Sequence, residues 1–366
     1  MDRGYFDEPT IGINCESGLI TFNATGEISL LPHSADHRRR SVIECEWTPE
    51  DLGRKAHGFL LEKLLAGAFE TDDDADEKRK LFEEILGAAG LGNAKALPQQ
   101  LAFILYGPLA GNGKSQFLRV VRGLCPPYAV CSVPIDKMSD ERFVCHLVGK
   151  NVNVADELSS AHGVFSDTFK SIITGEEVTG RDVYKSAVTF APTAVHVFAT
   201  NDLPSFRGGF DNGVLRRIRL LEFGRRIPTD EIIPDIGRKI VDEELQYVLT
   251  LGVRGAQRVL KLGQFTLPDS SDVALRDWAD NADSVRAWFE AHANLHPGFS
   301  VPISSLYSDY KEFCETEGYQ VIGGNKFATR LITISSGEIS RERTATERRL
   351  RGLRLKSDLS YPPQYK

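Results

Sequence analysis

Residues 100–123 read QLAFILYGPLAGNGKSQFLRVVRG, and this stretch restricts the fold more than any other. Ala102-Phe103-Ile104-Leu105-Tyr106 is a continuous apolar run, the pattern of a parallel strand buried on both faces. A glycine-rich turn follows, and a helix begins at Lys114-Ser115-Gln116. Strand, glycine loop and helix in that order form a phosphate cradle. The glycines let backbone N–H groups curl around oxygens, and the helix N-terminus adds its dipole. Gly107, Gly111, Asn112, Gly113, Lys114, Ser115 and Gln116 are the expected nucleotide-binding set. Lys114 is placed to reach β- and γ-phosphates, and the Ser115 hydroxyl to ligate Mg²⁺. The loop departs from the usual GxxxxGK[ST] spacing. Counting back from Gly113, the first glycine falls on Pro108, so Gly107 makes the loop one residue longer.

Two later strand ends supply the rest of such a site. Residues 150–158 read KNVNVADEL, with Val152 and Val154 leading to Asp156-Glu157. Phosphate chemistry on water needs a carboxylate near the metal and a base for the attacking water. Asp156 is expected beside Mg²⁺ and Glu157 at the water. The same pair could simply open a helix and complement its dipole. Residues 193–204 read TAVHVFATNDLP. A buried strand over 194–199 ends at Thr200-Asn201, where an amide can contact a terminal phosphate, or merely form a turn. In GVLRRIRLLEF, Arg216 and Arg217 precede a further strand, and a guanidinium fork suits phosphate charge.

Helical and strand periods divide the remainder. Residues 1–97 are expected to hold a β-hairpin, around GLITF and EISLL, and two helices, in FLLEKLLAGAF and KRKLFEEILGAAG. Residues 98–265 alternate strands and helices. Residues 280–366 are expected as helix, helix, helix and a basic strand pair, with Leu306, Tyr310 and Phe313 on one core-facing helix stripe. Net charge is −7, but it is uneven. Residues 70–77 (ETDDDADE) carry six acids and are expected as a solvated face. Residues 341–356 carry seven bases against two acids, a local surface suited to phosphates. The six cysteines contain no CxxC pair and are not spaced with histidines as metal ligands, so a reduced cytoplasmic protein without a zinc site is expected. No apolar run approaches the ~18–20 residues of a membrane helix, and no export signal is visible at the N-terminus.

The order GNGKS, ADE, FKSIITGEEVTGRDVYKSAVTFAPTAVHVFATNDLP, GVLRRIRLLEF resembles the superfamily 3 helicases. It is most similar to the helicase portion of phage and plasmid primase-helicases, related to the poxvirus primase-helicase, without the primase domain. LPHSADH near the start is similar to the segment preceding the motor in that family, and residues 283–356 look like its C-terminal winged helix. The resemblance implies an α/β fold with an AAA+ type P-loop core over 98–265, an N-terminal hairpin and helical collar over 1–97, and a winged helix over 280–366. It implies a hexameric ring, Mg²⁺-ATP, and 3′ to 5′ movement on single-stranded or forked DNA. Lys114, Ser115, Asp156, Glu157 and Asn201 would sit at the nucleotide, and Arg217, with Arg216, would act in trans. The hairpin carrying Arg181, Tyr184 and Lys185 would face a central channel. A primase or polymerase partner and a cytoplasmic setting, that of the host cell for a phage protein, are expected with it. The alternative is an ATP-switched origin-binding initiator that does not unwind.

Overall fold

The fold is that of a computed structural model describing residues 6, 8–23, 25–53, 58–156, 164–182, 184–207, 211–281, 283–317, 319, 321–344 and 347–356. They divide into two units, one within 1–205 and 211–275, the other within 206–210 and 276–366.

The first unit is built on a parallel five-stranded sheet. Its order across the sheet is Ile218–Glu222, Ala102–Tyr106, Val195–Thr200, Val152–Ala155 and Val130–Cys131. The strand that leads into the glycine loop is therefore flanked by the two strands of this sheet that come latest in sequence. Val195–Thr200 is buried along its whole length. It pairs in register with Ala102–Tyr106 (Thr200 opposite Tyr106) and with Val152–Ala155 (Phe198 opposite Ala155). All the strands run the same way, so their C-terminal ends gather on one edge, where open α/β sheets bind ligands.

Helices cover this sheet because their apolar stripes have nowhere else to go. Lys114–Leu124 buries Phe117, Leu118, Val120 and Val121. Phe117 meets Phe69, Phe82 and Phe223 with ring centroids 4.7–5.4 Å apart. These offset and edge-on pairs fix the phosphate-loop helix against helices Phe59–Phe69 and Ala75–Leu91. Ala75–Leu91 in turn lies against the long helix Ile236–Leu262. There a Cβ on Gly87 would stand 2.4 Å from the Ala256 nitrogen, and one on Gly255 would stand 2.0 Å from the Glu83 oxygen. The glycines set that close approach. Ile236–Leu262 kinks at Glu244. The Glu244 carboxylate accepts from the N–H groups of Leu60 (2.8 Å) and Leu61 (3.0 Å), capping helix Phe59–Phe69 from outside.

The hairpin expected near the start is a three-stranded antiparallel sheet, Ile13–Cys15, Gly18–Phe22 and Ile28–Leu31. Residues 1–97, read from sequence as a region of their own, share one core with the parallel sheet. Ile20, Trp47, Leu64 and Phe82 join Phe103, Val197 and Phe223 in a single buried cluster. The acidic run is not a solvated face throughout. Lys78 is 1% exposed, and its ammonium lies 2.7 Å from Asp72, 3.5 Å from Asp74 and 3.6 Å from Glu222. Asp74, itself buried, also accepts from the Ser270 N–H and hydroxyl. A buried cation holds part of the run inward.

In the second unit the order is helix Ser284–His292, strand Ala293–Pro302, helices Ile303–Glu317 and Gly324–Ile334, and strands Ser340–Arg343 and Arg348–Leu355. Ala293–Pro302 was not expected. It is an edge strand whose register slips between His296 and Ser300, which accommodates Pro297 and Gly298. Leu306 and Tyr310 are fully buried, as the stripe predicts, and pack with Trp288 and Phe327.

Candidate functional site

At the C-terminal edge of the parallel sheet lies a cavity of about 710 Å³, within the ~300–1,000 Å³ typical of small-molecule clefts. Its polar floor comes from three strand ends. Gly111, Asn112, Gly113, Lys114, Ser115 and Gln116 line it after the phosphate-loop strand, Asp156 after the acidic strand, and Thr200 and Asn201 at the end of the central strand.

Lys114 is the centre of this floor. It is 6% exposed. Its ammonium donates to the Gly107 carbonyl (2.7 Å), Asn201 Oδ1 (2.8 Å) and Asn112 Oδ1 (3.0 Å). Those acceptors match the three donors of an ammonium. Burial pulls its pKa below the usual lysine value, and the charge of Asp156 pulls the other way. The Lys114–Asn201 bond spans 87 residues of sequence, so the phosphate loop and the polar strand meet at one point.

The longer loop keeps its glycine logic. Gly111 and Gly113 hold φ of +77° and +89°, the left-handed region that favours glycine. Gly107 ends the strand, where a Cβ would stand 2.4 Å from Asn112 Nδ2 and 2.5 Å from the Phe223 oxygen. Asn112 is buried, and its amide reaches that same Phe223 carbonyl at 3.4 Å. The extra residue is thus taken up by a loop folded back on its own asparagine. Gln116 Oε1 accepts from the Gly237 N–H at 3.0 Å, tying the phosphate-loop helix to the start of Ile236–Leu262.

The opposite wall of the cavity was not foreseen. It is formed by Leu64, Ala66 and Gly67 of helix Phe59–Phe69 and by Ile227, Ile232 and Ile233 of the segment after the last strand. Lys63, Glu70 and Asp230 add charge at its rim. An apolar wall facing a polar floor suits a ligand with one flat apolar end and one anionic end. The two halves of this wall lie more than 150 residues apart in the chain, so no local pattern announces them.

For a metal, Ser115 and Asp156 offer hard oxygen donors to the same cavity. Mg²⁺ is usually held by one or two such groups plus substrate phosphates rather than by an all-protein cage, and these residues fit it. Glu157 lies outside the described residues.

The two arginines are elsewhere. Arg217 precedes Ile218–Glu222, and its carbonyl accepts from the Ala102 N–H at 2.8 Å. It therefore marks the start of the strands, whereas the cavity is at their ends. A five-residue strand rises about 16 Å, so neither Arg216 nor Arg217 lines this chain's own cavity. Arg216 is exposed. Arg217 donates to the Gly213 carbonyl at 2.7 Å, and its Nε has no partner among the described residues. Burial and then the repulsion of Arg216 lower its pKa.

Arg181, Tyr184 and Lys185 do fall on a hairpin tip. Val178–Gly180 pairs antiparallel with Val188–Phe190. Tyr184 has φ +62° and is fully exposed. Lys185 pairs with Asp182 at 2.6 Å, and Arg181 approaches Glu141 at 3.9 Å.

Comparison with known proteins adds two family matches. Residues 105–217 match a family of unknown function, DUF5906, and residues 281–345 match the poxvirus D5 protein-like family. Among solved structures, the apo C-terminal region (305–718) of NrS-1 is 14% identical, with a TM-score of 0.45 over 84% of this chain and 79% of that one. A crystal structure of JCV helicase with a thiazolopyridine phenoxyphenyl acetamide bound is 12% identical, with a TM-score of 0.29 over 63% of this chain and 66% of that one. No curated protein matches. Residues 281–345 are thus similar to the poxvirus D5 protein-like family. No helix among the described residues is long and apolar enough to cross a membrane.

Proposed function

We propose that this chain is an ATP-hydrolysing DNA motor of a mobile-element replication system, a helicase or translocase working as a ring. One observation carries the reading. Lys114 donates at 2.8 Å to Asn201 in a cavity that Ser115 and Asp156 also line. In this reading the triphosphate takes the place of the carbonyl and amide oxygens around Lys114. The glycine-loop N–H groups and the helix N-terminus hold its phosphates. Ser115 and Asp156 hold Mg²⁺, which neutralises phosphate charge when bound. Asn201 positions the terminal phosphate and the attacking water, and Glu157 takes the water's proton. The apolar wall of Leu64, Ile227 and Ile233 receives the base.

An AAA+ type core is supported by the placement of the Asn201 strand between the phosphate-loop strand and the acidic strand. Arg217 and Arg216 act on a neighbour's nucleotide. Their distance from their own cavity and an Arg217 Nε without a partner among the described residues favour that role. The ring is a hexamer moving 3′ to 5′ on single-stranded or forked DNA in the cytoplasm of a host cell, with a primase or polymerase as partner. Residues 98–265 act as the motor, with 1–97 packed into its core as part of it rather than as a separate collar, and 280–366 act as a winged helix. The exposed tip of Tyr184 and Lys185 supplies stacking and phosphate contact to single-stranded DNA.

Hydrolysis and strand displacement are measured together on a forked substrate. Lys114→Ala is expected to abolish ATP hydrolysis; turnover retained in that variant sinks the assignment of the cavity. ATP hydrolysis by wild-type protein without strand displacement would favour the initiator alternative.

A further inference from the structure

The first unit contains a second cavity, larger than the first, at about 920 Å³. Its lining comes from the opposite edge of the parallel sheet. Asn151 directly precedes the acidic strand, and Thr193 closely precedes the Asn201 strand. The outer strand of the exposed hairpin forms another wall through Val188 and Phe190.

The charge of this cavity is one-sided. Arg38, Arg39, Arg40 and Lys95 line it, against the single carboxylate of Glu177. Among the described residues no carboxylate lies within ion-pair distance of Arg39, Arg40 or Lys95. Arg39 is half-buried and donates to the Leu91 carbonyl at 2.7 Å. Burial lowers its pKa to about 10 with no acid to restore it. A cation desolvated without an acid is unfavourable unless an anion arrives. Arg40 is exposed, and its guanidinium stands 4.7 Å above the Phe6 ring. Gly149, at φ +68°, leaves room for it, because a Cβ there would stand 2.6 Å from Arg40 Nη1. The local backbone thus accommodates that guanidinium.

We infer that this cavity is a phosphate-binding groove for single-stranded nucleic acid, continuous with the hairpin tip and distinct from the nucleotide cavity. The inference rests on the hairpin reading above. Cations that track a backbone beside aromatic faces, here Phe6 and Phe190, are the recurrent means of gripping a single strand. The tip alone offers one aromatic and a lysine already paired to Asp182. The groove adds Arg39, Arg40 and Lys95, which have no acidic partner among the described residues, along the same hairpin.

The test uses the full chain, with a fluorescent thirty-nucleotide oligothymidylate titrated from 50 to 200 mM salt. Each phosphate contact to a single strand contributes about 0.7 to the slope of log K against log[salt]. Arg40→Ala with Lys95→Ala is expected to lower that slope by about 1.4. Affinity should fall about 60-fold at 50 mM and about 10-fold at 200 mM. Basal ATP hydrolysis should not change, because neither residue touches the nucleotide cavity. Arg40→Lys with Lys95→Arg should keep the slope, separating charge from packing. An unchanged slope in the alanine variant, or a slope lost equally in the charge-conserving one, overturns the groove. So does retained oligothymidylate binding with loss of binding to a polyglutamate peptide, which would assign the cavity to an acidic protein segment. Absence of ATP hydrolysis in the wild type would sink the motor reading alone, since the salt titration needs no nucleotide.

Discussion

Asn201→Asp changes one atom of the candidate nucleotide site and reverses its electrostatics. The side chain keeps its shape, so the 2.8 Å contact with Lys114 can persist. The new carboxylate carries a full charge toward the terminal phosphate. At about 5 Å and an effective dielectric near 20, two unit charges repel by about 3 kcal/mol. Asn201 is exposed, so roughly half of that survives screening, about 1.4 kcal/mol or tenfold in affinity. The attraction between the carboxylate and Lys114 works in the same direction, because it holds the ammonium away from the phosphates. ADP ends one phosphoryl group further off, at about 8 Å, where about 1 kcal/mol remains after the same screening, so it is expected to weaken by about fivefold. Competition of a non-hydrolysable ATP analogue and of ADP against a fluorescent nucleotide measures both. Asn201→Ala serves as reference, since it removes only a hydrogen bond worth about 1 kcal/mol. Equal weakening of analogue and ADP, or a larger loss in the alanine variant, would refute the placement of Asn201 at the terminal phosphate.

Arg217→Ala is expected to bind nucleotide normally and to hydrolyse it 10²–10³-fold more slowly, as for loss of one transition-state donor. Mixing it with Lys114→Ala should restore activity at mixed interfaces, and absence of rescue at every ratio would rule out action in trans. His196 is buried on the central strand with no Nε2 partner among the described residues, and burial pushes its pKa down to about 3. The unfolded chain takes up that proton near pH 6.5. The neutral ring's contribution is therefore complete above about pH 6.5 and is lost as pH falls toward 3, by about 2 kcal/mol at pH 5. Urea unfolding at pH 7 and pH 5 checks this against His196→Phe, which should lose less stability than wild type over that interval.

What the sequence disclosed was local in origin. The apolar run, the glycine turn and Lys114 lie within thirteen residues, and the strand and helix appear where the pattern puts them, at Ala102–Tyr106 and Lys114–Leu124. The hairpin around Arg181 came instead from the family resemblance, and its stem is found at Val178–Gly180 and Val188–Phe190. Missed features needed partners far away. The acidic run looked solvated because Glu222, which helps enclose Lys78, comes 144 positions later. The fit of Gly87 to Gly255 and Ala256 depends on two helices separated by much of the chain. The apolar cavity wall combines Leu64 with Ile227. The strand Ala293–Pro302 was hidden by Pro297 and Gly298, whose bulge only an edge position tolerates. The arginine run 38–40 is plain in the sequence, but its meaning arises only when Lys95 and the hairpin close a cavity around it.

The central strand Val195–Thr200 leads to Asn201 at one end, and Thr193, which lines the second cavity, closely precedes the other. Between them it is buried throughout and hydrogen-bonded to a neighbour on each side. A close-packed strand transmits strain and cannot yield at one end alone. A nucleotide that draws Asn201 away from Lys114 is therefore expected to alter the position from which Thr193 faces the groove. If nucleic acid prefers one of the two positions, the sites are coupled, and the coupling is reciprocal by thermodynamic necessity. An ATP analogue should change oligothymidylate affinity by some factor between about 5 and 150. The oligothymidylate should change analogue affinity by that same factor. Asn201→Ala should bring the factor close to one while leaving the affinity for DNA alone unchanged, because it severs the nucleotide from the strand without touching the groove. A wild-type factor of one would show that the strand carries nothing between its ends, and the two cavities would then act as independent sites on one sheet.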